Sequence, residues 1–366
     1  MTARVAVLAT AFGFGPAAKA WSVGRALTAG HGVDVRYFGS GCALDFFAAQ
    51  GLCPDGPAGP VPEHDPEFPA GYDAVVNVLA PELIPSPEVA ALTHYVDSLG
   101  FLWQPADVPP DSPLRRVRAY YAQDLFGSAE NLARLGMPDV TPVSGIVAET
   151  GVPPARPGRD GSRAVVHLGG LGNPAGTGSA RAYLPLVERL LVELREGPHA
   201  LTVAMNRAID GLSLTTDVPV EHLSGADFRT AVADCAVVFS SPGLTTLVET
   251  SQAGRAYVPL PPQNWSQVVI SERMAARSGL EIWPFLSARY RRIDERADEM
   301  GKAAEVREIN RDLAADPDFA AEYGVLALRA AEAAEAPAVG APFTGAREIA
   351  AAVAADLGAR DDLLRG

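Results

Sequence analysis

Twice along the chain a short run of apolar residues ends in a cluster of glycines. Arg4-Val-Ala-Val-Leu-Ala-Thr10 leads into Phe12-Gly-Phe-Gly-Pro16, and Arg163-Ala-Val-Val-His-Leu168 leads into Gly169-Gly-Leu-Gly172. An unbroken apolar strand is buried on both faces, which requires helices above and below a mostly parallel sheet. Helical stretches follow both turns, to about Thr28 in the first case and from Ala180 to Leu194 in the second. Further strands are read at Val33–Phe38, Tyr72–Leu79, Tyr95–Phe101 and Ala119–Gln123, then at Ala200–Met205, Ala236–Ser240 and Ala256–Leu260. Helices are read from about Glu88, over Asp227–Asp234 and Thr245–Ala253, and through most of the chain after Ser266, ending with Ala346–Leu357. Pro54–Pro69 reads as a surface loop. The pattern predicts an α/β protein made of two Rossmann-like parallel-sheet halves.

Between the halves, Ala148–Arg163 has no periodicity and is rich in proline and glycine, which break both helix and strand. A length of 366 residues with 48% apolar composition suits two domains with full cores. The net charge is −14 and the one basic run, Arg289-Tyr-Arg-Arg292, is followed by Asp294 and Glu295. Phosphate backbones and anionic lipid surfaces both need a basic face, so neither nucleic acid nor a membrane is an expected partner. Cys42, Cys53 and Cys235 show no metal or disulfide spacing. No apolar run reaches the roughly 18 residues of a membrane span. The apolar N-terminal run has only Arg4 before it and is interrupted by Gly13 and Gly15, so it reads as a strand rather than a secretory signal. The expectation is a cytoplasmic protein.

The segment with the most chemistry runs from Ala236 to Gln267. It is a strand, then Ser241-Pro-Gly-Leu-Thr-Thr-Leu-Val-Glu249 opening a helix, then Gly254, a strand, and Pro261-Pro-Gln-Asn-Trp-Ser-Gln267. Gly243 permits close backbone approach. Thr245 and Thr246 place two hydroxyls at a helix N-terminus, where free N–H groups and the helix dipole suit a diphosphate. Glu249 lies one turn on, where a carboxylate can accept from the two vicinal hydroxyls of a ribose. Residue by residue, the same string also serves as an ordinary helix cap. The loop after Leu168 is not a Walker motif, because no Gly-Lys-Ser/Thr follows. Pro174 and Gly176 delay the helix that a dinucleotide fingerprint needs.

Taken together, this segment resembles the donor-binding signature of GT-B glycosyltransferases, the plant-type and macrolide-type transferases among them. Gly243, Thr245, Thr246 and Glu249 match it position for position, as do Gly254 and the Asp234 lead-in, while Ala256 stands where proline is usual. Asn264 and Gln267 stand in for the polar pair that contacts the donor sugar. The resemblance implies a GT-B fold, two Rossmann-like parallel-sheet domains facing across a cleft. Residues 1–150 would bind the acceptor, 151–162 would link, 163–340 would bind the nucleotide-sugar donor, and the helix in 341–366 would cross back to the first domain or mediate a dimer. Gly169 and Gly170 would face the donor phosphates. Retaining relatives often carry a glutamate where Ser241 stands, which favours inversion here.

The N-terminal turn aligns with the same family. Gly15 matches its first glycine, but Pro16 replaces the histidine that serves many inverting members as base, Lys19 takes a proline position, and Gly24 replaces an alanine. Only two of the 30 basic residues are lysine, and a cation early in a helix opposes the dipole. Lys19 is therefore a candidate donor contact, against the plainer reading of a surface lysine. The glycine turn with its lysine, and Val96-Asp-Ser-Leu99, also resemble the cytosylglucuronate synthases of nucleoside-antibiotic pathways. Those enzymes join a glucuronosyl unit from UDP-glucuronate to cytosine, and a heteroaromatic N–H needs less base assistance than an alcohol.

The candidate substitutes for the missing base are Asp97, Asp124 and His94. Candidate acceptor contacts are Tyr95, Trp103, Tyr121 and Gln123. His167 reads as a core histidine, and His222 as a residue following a strand near the nucleobase. The expected function is inverting transfer of a sugar from a nucleotide-sugar, UDP-linked by resemblance, to a small molecule of secondary metabolism. No metal or other cofactor is expected, because the helix terminus and hydroxyls stabilise the leaving diphosphate. The assembly is a monomer or homodimer. Two other readings stay open: a non-catalytic homologue that assists another enzyme, and a nucleotide-sugar epimerase or hydrolase.

Overall fold

A computed structural model of the protein describes residues 2–52, 58–59, 68–148, 162–171, 177–206, 211–333, 335–337 and 339–365. The expected linker through 161, Cys53, most of the 54–69 stretch and loop residues 172–176 lie outside the described residues. The chain forms two compact units, Met1–Glu149 with Val339–Gly366, and Thr150–Ala338.

The first unit runs β1 (Arg4–Ala9), α1 (Phe14–His31), β2 (Asp34–Gly39), α2 (Cys42–Ala49), β3 (Ala58–Gly59), β4 (Ala74–Val78), α3 (Pro87–Leu92), β5 (Thr93–Asp97), β6 (Ala119–Gln123), α4 (Ser128–Arg134) and β7 (Val140–Val143). Its sheet has the order β3-β2-β1-β4-β5-β6-β7, with every neighbouring pair parallel. Alternation sends the residues of β1 into two cores. Val5, Val7 and Ala9 pack with Ala17, Ala20 and Val23 of α1, while Ala6 and Leu8 pack with Phe38, Tyr72 and Val75 on the other face. Burial on both sides is why the strand carries no polar alternation. Gly24 has a packing reason: a Cβ there would lie 2.3 Å from the Tyr37 hydroxyl.

Several elements differ from the sequence reading. The strand expected over Tyr95–Phe101 begins at Thr93 and ends at Asp97, where the carboxylate accepts from Leu99 N–H at 2.6 Å and turns the chain. The stretch read as a loop from Pro54 to Pro69 contains β3, which pairs with β2. The helices α2 and α4 and the strand β7 were not anticipated. The chain turns at Gly13, whose φ is 87°, and Gly15 lies inside the first turn of α1.

The second unit runs β8 (Arg163–His167), α5 (Thr177–Leu194), β9 (Ala200–Asn206), β10 (Val220–Leu223), α6 (Gly225–Asp234), β11 (Val237–Ser240), α7 (Leu244–Gln252), β12 (Ala256–Pro259), α8 (Trp265–Ala275), α9 (Ile282–Tyr290), α10 (Glu299–Ala315) and α11 (Pro317–Ala333). The sheet order is β10-β9-β8-β11-β12, again all parallel. The edge strand β10 is mostly exposed and has no apolar run, so periodicity did not show it. His222 lies inside this strand rather than after one.

The last helix, α12 (Gly345–Arg365), belongs to the first unit. Its Ala346, Ile349, Ala350 and Val353 join the core against α1. The approach is fixed by backbone bonds from Gly145 N–H to Gly340 O at 2.7 Å and from Gly345 N–H to Gly145 O at 3.2 Å. Gly345 is required there, because a Cβ would lie 2.3 Å from the Ser144 carbonyl oxygen. No described helix is long and apolar enough to cross a membrane.

Candidate functional site

In the second unit β8, β11 and β12 are neighbours. Ser240 is in register with both His167 and Pro259. Parallel pairing therefore gathers three loops at one edge of the sheet: the turn at Gly169–Leu171, the Ser241–Gly243 turn before α7, and the Leu260–Asn264 segment before α8. Ligands of parallel α/β sheets bind beyond these carboxyl ends.

The N-terminus of α7 is open. Its N-cap, Gly243, has φ −76° and ψ 128° and no side chain caps it, and the first turn holds no acidic residue. A Cβ on Gly243 would meet nothing closer than 3.7 Å, and the same holds for Gly170. Neither glycine is dictated by backbone strain or by internal crowding. What they leave is room beside a helix N-terminus, where an anion is favoured. Thr245 is half-buried and Thr246 is buried. Glu249 is 11% exposed in its side chain, with Arg229 of α6 at 3.8 Å.

His167, read as a core histidine, is enclosed and hydrogen-bonded, and its partners place it beside the α7 turn. It caps the end of β8, with Nδ1 3.1 Å from Ser240 Oγ and 3.3 Å from Thr246 Oγ1. Its ring stacks on Phe228 at 4.1 Å. Burial pushes its pKa down to about 4, so the imidazole is neutral near pH 7 and offers one donor and one acceptor. Gly169 is required by this ring, since a Cβ would sit 2.3 Å from Nε2. The signal in the sequence was a histidine at a strand end directly before Leu168-Gly169-Gly170.

The polar pair is also redistributed. Asn264 caps α8, its Oδ1 accepting from Gln267 N–H at 3.1 Å and Ser266 Oγ at 2.8 Å. Gln267 stays at the site, with Nε2 3.9 Å from the Cβ positions of both Gly170 and Gly243. Gln263, not anticipated, lies beside it and donates to Ser241 Oγ at 2.8 Å.

In the first unit most expected site residues are interior. Asp97 has no exposed surface. It accepts from Trp103 Nε1 and Tyr120 OH, each at 2.5 Å, and from Leu99 N–H. Burial raises its pKa, against hydrogen bonds from Tyr120, Leu99, Trp103 and Gly100 that lower it. So enclosed, the carboxylate ties β5, β6 and the Trp103 loop together. His94 sits at the start of β5, 1% exposed, with Nδ1 3.2 Å from Tyr121 OH. It is therefore at the wrong end of the strand for a base, and Tyr121 is committed to it. Tyr95 is fully buried and faces the other core, packed with Tyr120. Gln123 is also fully buried, and both ends of its amide are without a partner. Only Asp124, just past β6, is exposed. Lys19 is 3% exposed on the inner side of α1, so it is not a surface lysine.

Among the described residues, no group of three or more His, Cys, Asp or Glu is placed to hold a metal ion. No family model and no curated protein matches the sequence. Solved structures do match. The spinosyn forosaminyltransferase SpnP is 17% identical with a TM-score of 0.51, covering 98% of this chain and 100% of that one. UGT71G1 of Medicago truncatula, solved with UDP-glucose, is 10% identical at 0.51, covering 96% and 98%. A putative UDP-N-acetylglucosamine 2-epimerase from Listeria monocytogenes is 10% identical at 0.51, covering 97% and 96%. At such identities the likeness is one of architecture, and it agrees with two all-parallel sheets flanked by helices: the chain has the GT-B fold.

Proposed function

We propose that the protein is a glycosyltransferase that moves a sugar from a nucleotide-sugar, UDP-linked, to a small-molecule acceptor. The observation that carries this is the open N-terminus of α7, with its two threonine hydroxyls, the unoccupied Cβ space of Gly170 and Gly243, and Glu249 one turn further on. The diphosphate lies at the helix terminus, the Thr246 hydroxyl and the neutral His167 line it, and Glu249 accepts from the ribose. In the reaction the acceptor heteroatom forms a bond to the anomeric carbon while the bond from that carbon to the diphosphate oxygen breaks. The electron pair leaves with the diphosphate, whose charge the helix terminus stabilises. By the resemblance the first unit is the acceptor-binding domain, and Asp124, exposed just past β6, is the proposed base for the acceptor proton. Inversion, a glucuronosyl donor and a nucleobase acceptor such as cytosine are the narrower form of this proposal.

The test begins with thermal-shift measurements against UDP, dTDP, GDP, UDP-glucose and UDP-glucuronate, since a ligand of the native state raises Tm by mass action. A selective rise is expected. Glu249→Ala should weaken that nucleotide roughly 10- to 100-fold, the loss of a charged hydrogen-bonding group. No shift with any nucleotide would sink the proposal. Binding followed by isomerisation or hydrolysis of the donor without acceptor would replace it with the epimerase or hydrolase reading.

A further inference from the structure

The segment that leads from β12 into α8 is short of hydrogen-bond donors of its own. From Pro259 to Gln263 it reads Pro-Leu-Pro-Pro-Gln, and proline has no backbone N–H. The Leu260 N–H is spent on Ser240 O at 2.9 Å. The carbonyls are therefore the handles by which the segment is held, and three helices of the same unit grip them. Tyr323 of α11 donates to Pro259 O at 3.1 Å, Tyr183 of α5 to Pro261 O at 2.7 Å, and Asn310 of α10 to Pro262 O at 2.9 Å.

The third grip reaches further than the other two. The peptide unit joining Pro262 to Gln263 is bonded on both sides: Asn310 Nδ2 holds its carbonyl, and its N–H donates to Gln267 Oε1 at 2.7 Å. The proline ring already fixes φ at Pro262, so the bond from Asn310 stops the turning that ψ still allows. Both side-chain amides are oriented by groups that act in one way only. A carbonyl only accepts, so Asn310 turns its nitrogen to Pro262 and its Oδ1 to Tyr290 of α9, whose hydroxyl donates at 2.6 Å. A backbone N–H only donates, so Gln267 turns its oxygen to Gln263 and its nitrogen away. That nitrogen lies 3.9 Å from the Cβ positions of Gly170 and of Gly243, in the space beside the open terminus of α7. Asn310 is the one polar residue on the buried face of α10, among Val306, Ile309 and Leu313. A buried amide is tolerated only where its ends are matched, and here both ends are.

We propose that Asn310 is a positioning residue: by holding the Pro262 carbonyl it keeps the Gln267 amide with its nitrogen, a donor, toward the space beside α7. The inference rests on the nucleotide-sugar reading and adds to it a residue that lies outside the site. Tyr290 supports the same arrangement one bond further back. Without the Asn310 grip the Pro262–Gln263 peptide turns, Gln263 N–H leaves Gln267 Oε1, and the Gln267 amide is released to present its oxygen to an anion that it repels.

The experiment is calorimetric titration with UDP of the wild type, Asn310→Leu, Gln267→Leu and the double variant, each checked for its fold by Tm. Asn310→Leu and Gln267→Leu should each bind UDP about tenfold more weakly than the wild type, one hydrogen bond's worth. Residues that act through one another are not additive, so the double variant should bind no more weakly than Gln267→Leu alone. General loosening of the unit would instead weaken UDP in the Gln267→Leu background as well. Tyr290→Phe keeps the ring and removes only the hydroxyl. It should lose less affinity in the same direction, again with no added loss beside Gln267→Leu, and it carries the cycle should Asn310→Leu not fold. Wild-type affinity in the folded Asn310 variant or, failing that variant, in Tyr290→Phe, or a further tenfold loss in the double variant, would overturn the assignment while leaving nucleotide binding standing. Failure of the wild type to bind UDP would overturn the nucleotide reading and this inference with it.

Discussion

Nε2 of His94 lies 3.5 Å from Oδ2 of Asp356, joining the interior of β5 to the chain's last helix. Arg118 bonds the same carboxylate, through Nε at 3.0 Å, and Arg360 approaches it at 3.4 Å. Partial burial raises the Asp356 pKa, but the Arg118 hydrogen bond and the charges of Arg360, Arg118 and His94 outweigh it and hold the carboxyl below its ordinary range. For His94 burial dominates. Asp356 favours the imidazolium and the two arginines oppose it, with a pKa pushed down to about 4.

The pH dependence follows. A histidine in the unfolded chain titrates near 6.5, so between that pH and about 4 the unfolded state binds the extra proton. Stability is full above pH 6.5, falls as the pH drops toward 4, and changes no further from this group below it. The loss from His94 is on the order of 3 kcal/mol. His167 contributes with the same sign in the second unit, so a variant is needed to assign it. Tm measured from pH 7 to pH 4 should fall less steeply in His94→Asn than in the wild type; parallel curves would refute the assignment.

Asp97 and Asp124 should separate cleanly. Asp97→Ala leaves the Tyr120, Trp103 and Leu99 donors without their acceptor and should cost on the order of 3 kcal/mol, read as a lowered Tm. Its effect on turnover should follow the folded fraction. Asp124→Asn should leave Tm within a degree or two and lower kcat. A stable Asp97→Ala protein with a collapsed kcat would return the catalytic role to Asp97.

Two glycines make a matched pair. Gly169→Ala drives a methyl into the His167 ring and should destabilise by about 1–3 kcal/mol. Gly243→Ala meets no protein atom closer than 3.7 Å, so its Tm should be unchanged while nucleotide affinity drops at least tenfold. Unimpaired nucleotide binding by Gly243→Ala would show that the space beside α7 is not where the ligand lies.

Activity should survive EDTA. The proposed stabilisation of the leaving diphosphate comes from backbone and hydroxyl donors. An initial rate that disappears on chelation and returns only with a divalent cation would contradict it.

The α/β character of both units was readable because strands buried on two faces are written as apolar runs, as in Arg4–Ala9 and Ala74–Val78. Elements at the edge were not: β10 is Val-Glu-His-Leu with most residues exposed, and β3 has two residues. The Gly243–Glu249 turn and helix were legible because a strand-to-helix turn is written in consecutive residues. The contacts of Gln263 and His167 were not, because they depend on which loops the sheet order brings side by side. Asp97 misled for a related reason. A carboxylate at a strand's end looks alike in sequence whether it faces solvent or, as here, is enclosed by Trp103 and Tyr120.

The placement of α12 on α1 makes the second unit an insertion within the first. As the polypeptide leaves the ribosome, the second unit has all its residues available before the first one does. Domains acquire structure as units during synthesis, so the first unit emerges earliest yet completes its core last. Until residues 345–365 appear, the apolar flank of α1 that they cover is exposed to other nascent chains and to chaperones. Truncation ahead of α12 should therefore leave the half of the protein that was made first prone to aggregation, and the half made later intact.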